Sequence, residues 1–77
     1  MNHGKAYAEF QRDMAVRGFT QSPLTKSQFL FLSRDCGLAR HLVDSVAMDV
    51  ASGGSMRYAV LVAIEAARVD EGLAVRD

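Results

Sequence analysis

The chain is 77 residues long, with 49% hydrophobic and 23% charged residues, and its nine Lys+Arg balance nine Asp+Glu. That length has room for a single small domain, residues 1–77, built around one core. The composition argues against a disordered chain, which needs low hydrophobicity and high net charge, and zero net charge argues against a polyanion binder that works by bulk charge.

No apolar run approaches the roughly 18 residues of a membrane span, so no membrane association is expected. Met1–Phe10 is interrupted by His3, Lys5 and Glu9 and offers no apolar signal core. The one cysteine cannot form an internal disulfide, and the expectation is a cytoplasmic protein. The charges are unevenly spread. Residues 1–40 hold six basic side chains (Lys5, Arg12, Arg17, Lys26, Arg34, Arg40) against three acids, and residues 41–77 hold the reverse. Such a dipolar molecule can meet a charged partner with one end while its net charge stays zero.

In chain order the pattern predicts four short helices in a compact all-α bundle. The first runs from His3 to Arg17, because Tyr7, Phe10 and Met14 recur on one face while Glu9, Asp13 and Arg17 line another. Gly18 suits its C-terminal cap, and Pro23 breaks the linker that follows. Thr25 and Gln28 fit a capping box opening a second helix, Lys26 to Cys36, with Gly37 just beyond it. Its centre, Phe29-Leu30-Phe31-Leu32, is apolar on every side, so Leu30 or Phe31 is expected to face outward unless the helix is sandwiched.

A third helix is expected from Leu38 to Ala51, with Leu38, Leu42, Val46 and Val50 four apart and Val43 widening the stripe. Ser52-Gly53-Gly54-Ser55 punctuates the chain. The fourth helix is expected from Met56 to Glu71, with Gly72 as its stop and Leu73–Asp77 as a tail. Its apolar arc, Tyr58 through Val69, is wide enough for a central helix or for one shared across a homodimer. Tyr58–Ile64 also has the look of a short buried strand, but its alanines and the flanking caps favour helix.

The inventory for chemistry is thin. Cys36, His41 and Asp44 lie on different predicted elements and do not space as a triad, and Cys36 falls on an apolar face. No metal-ligand pattern, cofactor motif or small-molecule substrate site stands out, so the chain is not read as an enzyme.

The most specific local pattern is the run Gly37-Leu38-Ala39-Arg40-His41-Leu42-Val43. With Gly37 as a turn glycine, Leu32, Cys36, Leu38, Val43 and Val46 fill the apolar places where two short helices crossing at a tight turn must meet, and Ser33 fills a small one. Residues 29–48 thus resemble the helix-turn-helix unit of bacterial DNA-binding regulators. The resemblance implies a recognition helix from Ala39, with Arg40, His41, Asp44 and Ser45 outward toward a major groove, and Lys26 and Arg34 near phosphates. Asp44 and Asp49 depart from that pattern, as does the lack of Asn or Gln on the helix.

The favoured reading is a non-catalytic protein-binding module, of the kind used as small phage- or plasmid-type inhibitors or accessory proteins. It rests on the basic end and on apolar residues in excess of what four short helices bury. The expected contact residues are Phe19, Leu30, Phe31, Arg34, Arg40 and Leu61, with Met14, Met48 and Met56 as adaptable surface. The alternative is the DNA-binding regulator, using Lys26, Arg34, Arg40, His41 and Ser45. A protein partner is expected ahead of DNA, together with a homodimer formed through the fourth helix.

Overall fold

The computed structural model describes the backbone of residues 3–75 and the side chains of residues 4–70. It contains α1 (His3–Val16), α2 (Lys26–Leu30), which runs on as a π-helical segment (Phe31–Asp35), α3 (Arg40–Ala51) and α4 (Met56–Val75). No strand occurs among the described residues, and 58–64 is helix. The fold is a small all-α bundle.

Local chemistry explains where the elements stop. α1 ends in a glycine cap: Gly18 takes a φ of 102°, its N–H donates to the Ala15 carbonyl (3.0 Å), and the Phe19 N–H donates to the Met14 carbonyl (3.1 Å). Only glycine adopts that backbone without a steric penalty. α2 starts on the expected capping box. The Gln28 N–H donates to Thr25 Oγ1 (3.1 Å), and the Thr25 N–H donates to Gln28 Oε1 (2.9 Å).

The second helix is not regular to Cys36. Beyond Leu30 it widens into a π turn, in which the Cys36 N–H donates to the Phe31 carbonyl five residues back (2.9 Å). Ser33 Oγ donates to the Phe29 carbonyl (2.8 Å), and the Leu38 N–H to the Leu32 carbonyl (3.0 Å). Phe29 and Leu32, three residues apart and so on one face, are both buried, while Phe31 points out. Gly37, at a φ of 64°, then reverses the chain. α3 starts at Arg40 rather than Leu38, with Ala39 extended as its N-cap. Leu38 is still buried, ahead of the helix. α4 passes through Gly72 to Val75, so the expected stop at Gly72 is overridden. Of the expected tail, 73–75 is helical and 76–77 lie outside the described residues.

The core comprises Phe10 and Met14 of α1, Leu24, Phe29 and Leu32, then Leu38, Val43, Val46, Ala47, Ala59 and Ala63. Each fully buried large side chain among them contributes about 1.5–3 kcal/mol from transfer alone. Tyr7, Phe10 and Phe29 form an aromatic cluster with ring centroids 5.0–6.1 Å apart. The Tyr7 hydroxyl donates to the Leu24 carbonyl (2.7 Å), tying the linker to α1. α1 packs on α2, the π segment on α3, and α3 most extensively on α4. α4 meets α3 through the buried Ala59 and Ala63, with Met56, Val60 and Ile64 half-buried against the core on either side.

Candidate partner-binding surface

The outward side of α4 is set by helical spacing. Tyr58, then Leu61 or Val62, then Glu65, then Val69 succeed one another at three- and four-residue intervals and share one broad face, to the side of the buried Ala59 and Ala63. Four of them are large and apolar, and their exposures are 68% for Tyr58, 57% for Leu61, 47% for Val62 and 52% for Val69. Glu65 interrupts the stripe, and Arg68 lies 3.9 Å from it on the rim. Scattered exposed apolar residues are normal, as with Val16 on α1, but a row along one helix face is a patch. Leu61 was the expected member; Tyr58, Val62 and Val69 were missed as exposed residues. Their signal was the width of the apolar arc, which one covering helix cannot satisfy.

Phe31 is exposed to 49% and stands apart from that row, on the π segment. With Ser27, Gln28, Met56 and Val60 it lines a shallow, almost wholly apolar groove of about 220 Å³ between α2 and the start of α4. Arg34, one turn on, is exposed and lies 3.3 Å from its neighbour Asp35. The expected contact set is therefore only partly surface. Phe31, Arg34 and Leu61 are exposed. Phe19 and Leu30 are not outside: both are half-buried against the core, Phe19 at the cap of α1 and Leu30 on the inner side of α2. Of the methionines, Met14 is fully buried and Met48 and Met56 are half-buried.

Arg40, expected to face a partner, leans over α1 with its side chain still 37% exposed. Its Nη2 donates to Asp13 Oδ2 (2.7 Å), its Nε donates to Asp44 Oδ1 (2.8 Å), and its guanidinium carbon lies 5.3 Å from the centroid of the Phe10 ring. Arg17 reaches the other Asp44 oxygen at 3.7 Å. Partial burial works to lower the Arg40 pKa, but the hydrogen bonds and charges of Asp44 and Asp13 outweigh it and hold the pKa above its ordinary value. The guanidinium caps the aromatic core by ion pairing and cation–π contact, with two of its five N–H donors engaged.

This bears on the recognition-helix positions. Asp44 faces Arg40 and Arg17, while His41 and Ser45 remain exposed beside it in a polar depression with Arg17 and Met48. The turn has a positive-φ glycine at Gly37, and Leu32, Leu38, Val43 and Val46 are buried with Cys36 half-buried. Core packing by itself accounts for those apolar places. Burial pushes the Cys36 thiol pKa up, and the charge of Asp35 adds to it, so the thiolate is scarce at neutral pH. Asp44, tied to two arginines, is not poised to orient His41 for Cys36.

Among the described residues no three His, Cys, Asp or Glu side chains gather as a metal site, and no helix is long and apolar enough to cross a membrane. Comparison with family models, with curated proteins and with solved structures found no match for this chain.

Proposed function

We propose that the protein is a non-catalytic protein-docking module that works as a homodimer, with the outward face of α4 as its self-association surface. The observation that carries this reading is the row Tyr58, Leu61, Val62 and Val69, exposed along one side of a 20-residue helix. The surface area supports it. The chain exposes 5361 Å², where a compact monomer of its mass exposes about 4,600 Å². The excess is in keeping with a chain that leaves surface for association. The radius of gyration, 12.9 Å, likewise exceeds the about 11.5 Å of a compact domain this long. A single thiol, half-buried, fits a reducing compartment such as the cytoplasm.

Sedimentation equilibrium tests the proposal. The wild type should sediment at twice its 8.4 kDa chain mass at micromolar concentration, and Leu61→Asp at one chain mass with its helical circular dichroism intact. A wild type that stays monomeric at high micromolar concentration would refute it.

The second reading, a helix-turn-helix DNA-binding regulator, rests on the positive-φ Gly37 turn and on exposed Lys26, Arg34, His41 and Ser45. It predicts anisotropy changes with a labelled duplex that fall steeply between about 50 and about 200 mM salt. Arg40→Ala does not discriminate between the readings, because Arg40 is part of the fold's own ion-pair network.

A further inference from the structure

The groove beside Phe31 lies between two stretches of chain that contain no acidic residue. From Met14 to Arg34 the sequence has Arg17, Lys26 and Arg34 but neither Asp nor Glu, and from Val50 to Ile64 it has Arg57 and again no acid. The groove floor is Phe31, Met56 and Val60, edged by Ser27 and Gln28. Gln28 spends its side-chain oxygen on the capping box, so the edge presents little competing polarity. Two exposed cations lie one helical turn from its floor, Arg34 beyond Phe31 and Arg57 before Val60, and a third, Lys26, precedes Ser27 in the first turn of α2. Lys26 and Arg57 have no ion-pair partner among the described residues, and Arg34 has only the exposed, adjacent Asp35. The contrast is with Arg17 and Arg40, which are drawn into the Asp13 and Asp44 network.

We infer that this groove receives a short segment of another protein in which one large apolar side chain is flanked by Asp or Glu. The anchor fills the space over Phe31, Met56 and Val60, and the flanking carboxylates meet Lys26, Arg34 and Arg57. An apolar anchor within a charged rim is the usual division of labour in such interfaces, with the anchor supplying affinity and the rim supplying partner choice. The inference rests on the docking reading above and names the partner's chemistry at a second surface, away from the α4 row.

The test uses a fluorescent twelve-residue peptide with a central Phe-Leu pair and Glu and Asp on both sides. Its controls are the same peptide with Lys for every acid, and one with Ala for Phe-Leu. Binding is read by anisotropy and by amide shifts of the isotope-labelled full chain. The acidic peptide should bind, shifting Ser27, Phe31, Met56 and Val60. The Lys and Ala peptides should bind at least tenfold more weakly. Phe31→Ala and Arg57→Glu, both at exposed positions, should each weaken the acidic peptide at least tenfold while leaving the helical dichroism unchanged. Equal binding of acidic and basic peptides overturns the inference. So do shifts confined to the outer α4 face, or shifts at the groove produced by anionic phosphatidylserine vesicles and not by the peptide. Sedimentation of the same sample separates the two claims: a dimer whose groove ignores the acidic peptide refutes this inference and leaves the dimer standing.

Discussion

The two ends of the fold treat large side chains in opposite ways. Where α1 meets α2 and α3, Phe10 is wholly buried, Tyr7 stacks on it, Phe29 packs tilted against it, and Arg40 closes the cluster with a charge that two carboxylates neutralise. Along α4, Ala59 and Ala63 are buried and Met56, Val60 and Ile64 half-buried, while Tyr58, Leu61, Val62 and Val69 are largely exposed. The first region spends its aromatic and charged residues on holding a small chain together. The second leaves an apolar row exposed, the row that the proposed dimer would cover. A chain this short buries only about 60% of its unfolded surface, so stability concentrated in one corner leaves the other free for association.

The largest effect should come from the aromatic corner. Phe10→Ala removes the ring at its centre and should cost about 3–5 kcal/mol, a large share of a small domain's stability. Thermal melting at fixed concentration measures this, and a loss below about 1 kcal/mol would mean the corner is not the stability centre. Next, Tyr58→Glu with Val62→Asp should abolish the dimer. It should also remove any dependence of the melting temperature on protein concentration, which the wild type should show as an associating protein. If the double variant melts far below the dilute wild type, α4's outer face is part of the monomer core and the contrast between the regions fails.

A smaller effect is expected at the lid of the corner. Arg40→Ala leaves Asp13 and Asp44 without their shared partner and uncovers Phe10, for about 1–2 kcal/mol. High salt should lower the stability of the wild type more than that of the variant. The smallest effect concerns Cys36. With its pKa raised by burial and by Asp35, the thiol should alkylate more slowly at pH 8 than a free cysteine, and at the ordinary rate once the chain is unfolded in urea. The sign is that of an acid held neutral: reactivity in the folded chain rises at higher pH than in the unfolded one. A Cys36 that reacts as fast folded as unfolded would contradict its half-buried position.

The helices were legible because periodicity and caps act locally. The Tyr7, Phe10 and Met14 stripe, Gly18 and the Thr25–Gln28 box each report on neighbours within a turn or two. The π turn was not legible. Its signature is a Cys36-to-Phe31 hydrogen bond that no local motif announces, and four consecutive apolar residues do not reveal which two will be buried. The ion pairs of Arg40 were not legible for the same reason. Its partners are Asp44, one turn away, and Asp13, 27 residues back, and only the folded α1–α3 contact brings the second within 2.7 Å. Phe19 and Leu30 were read as surplus because their coverage comes from packing across the cap and the helix pair. The outer face of α4 was half legible: the apolar arc was too wide for one neighbour, but the alanines choosing the inward side only made sense once α3 lay against them.

The central claim is that the outer face of α4 meets its counterpart on a second copy. Isotope-filtered NOE spectroscopy on an equal mixture of labelled and unlabelled chains tests it most directly, because it registers only contacts between copies. The account predicts intermolecular NOEs linking the Tyr58 ring with the methyl groups of Leu61, Val62 and Val69. A dimeric sample whose intermolecular NOEs arise elsewhere, or a sample that shows none at millimolar concentration, would contradict it.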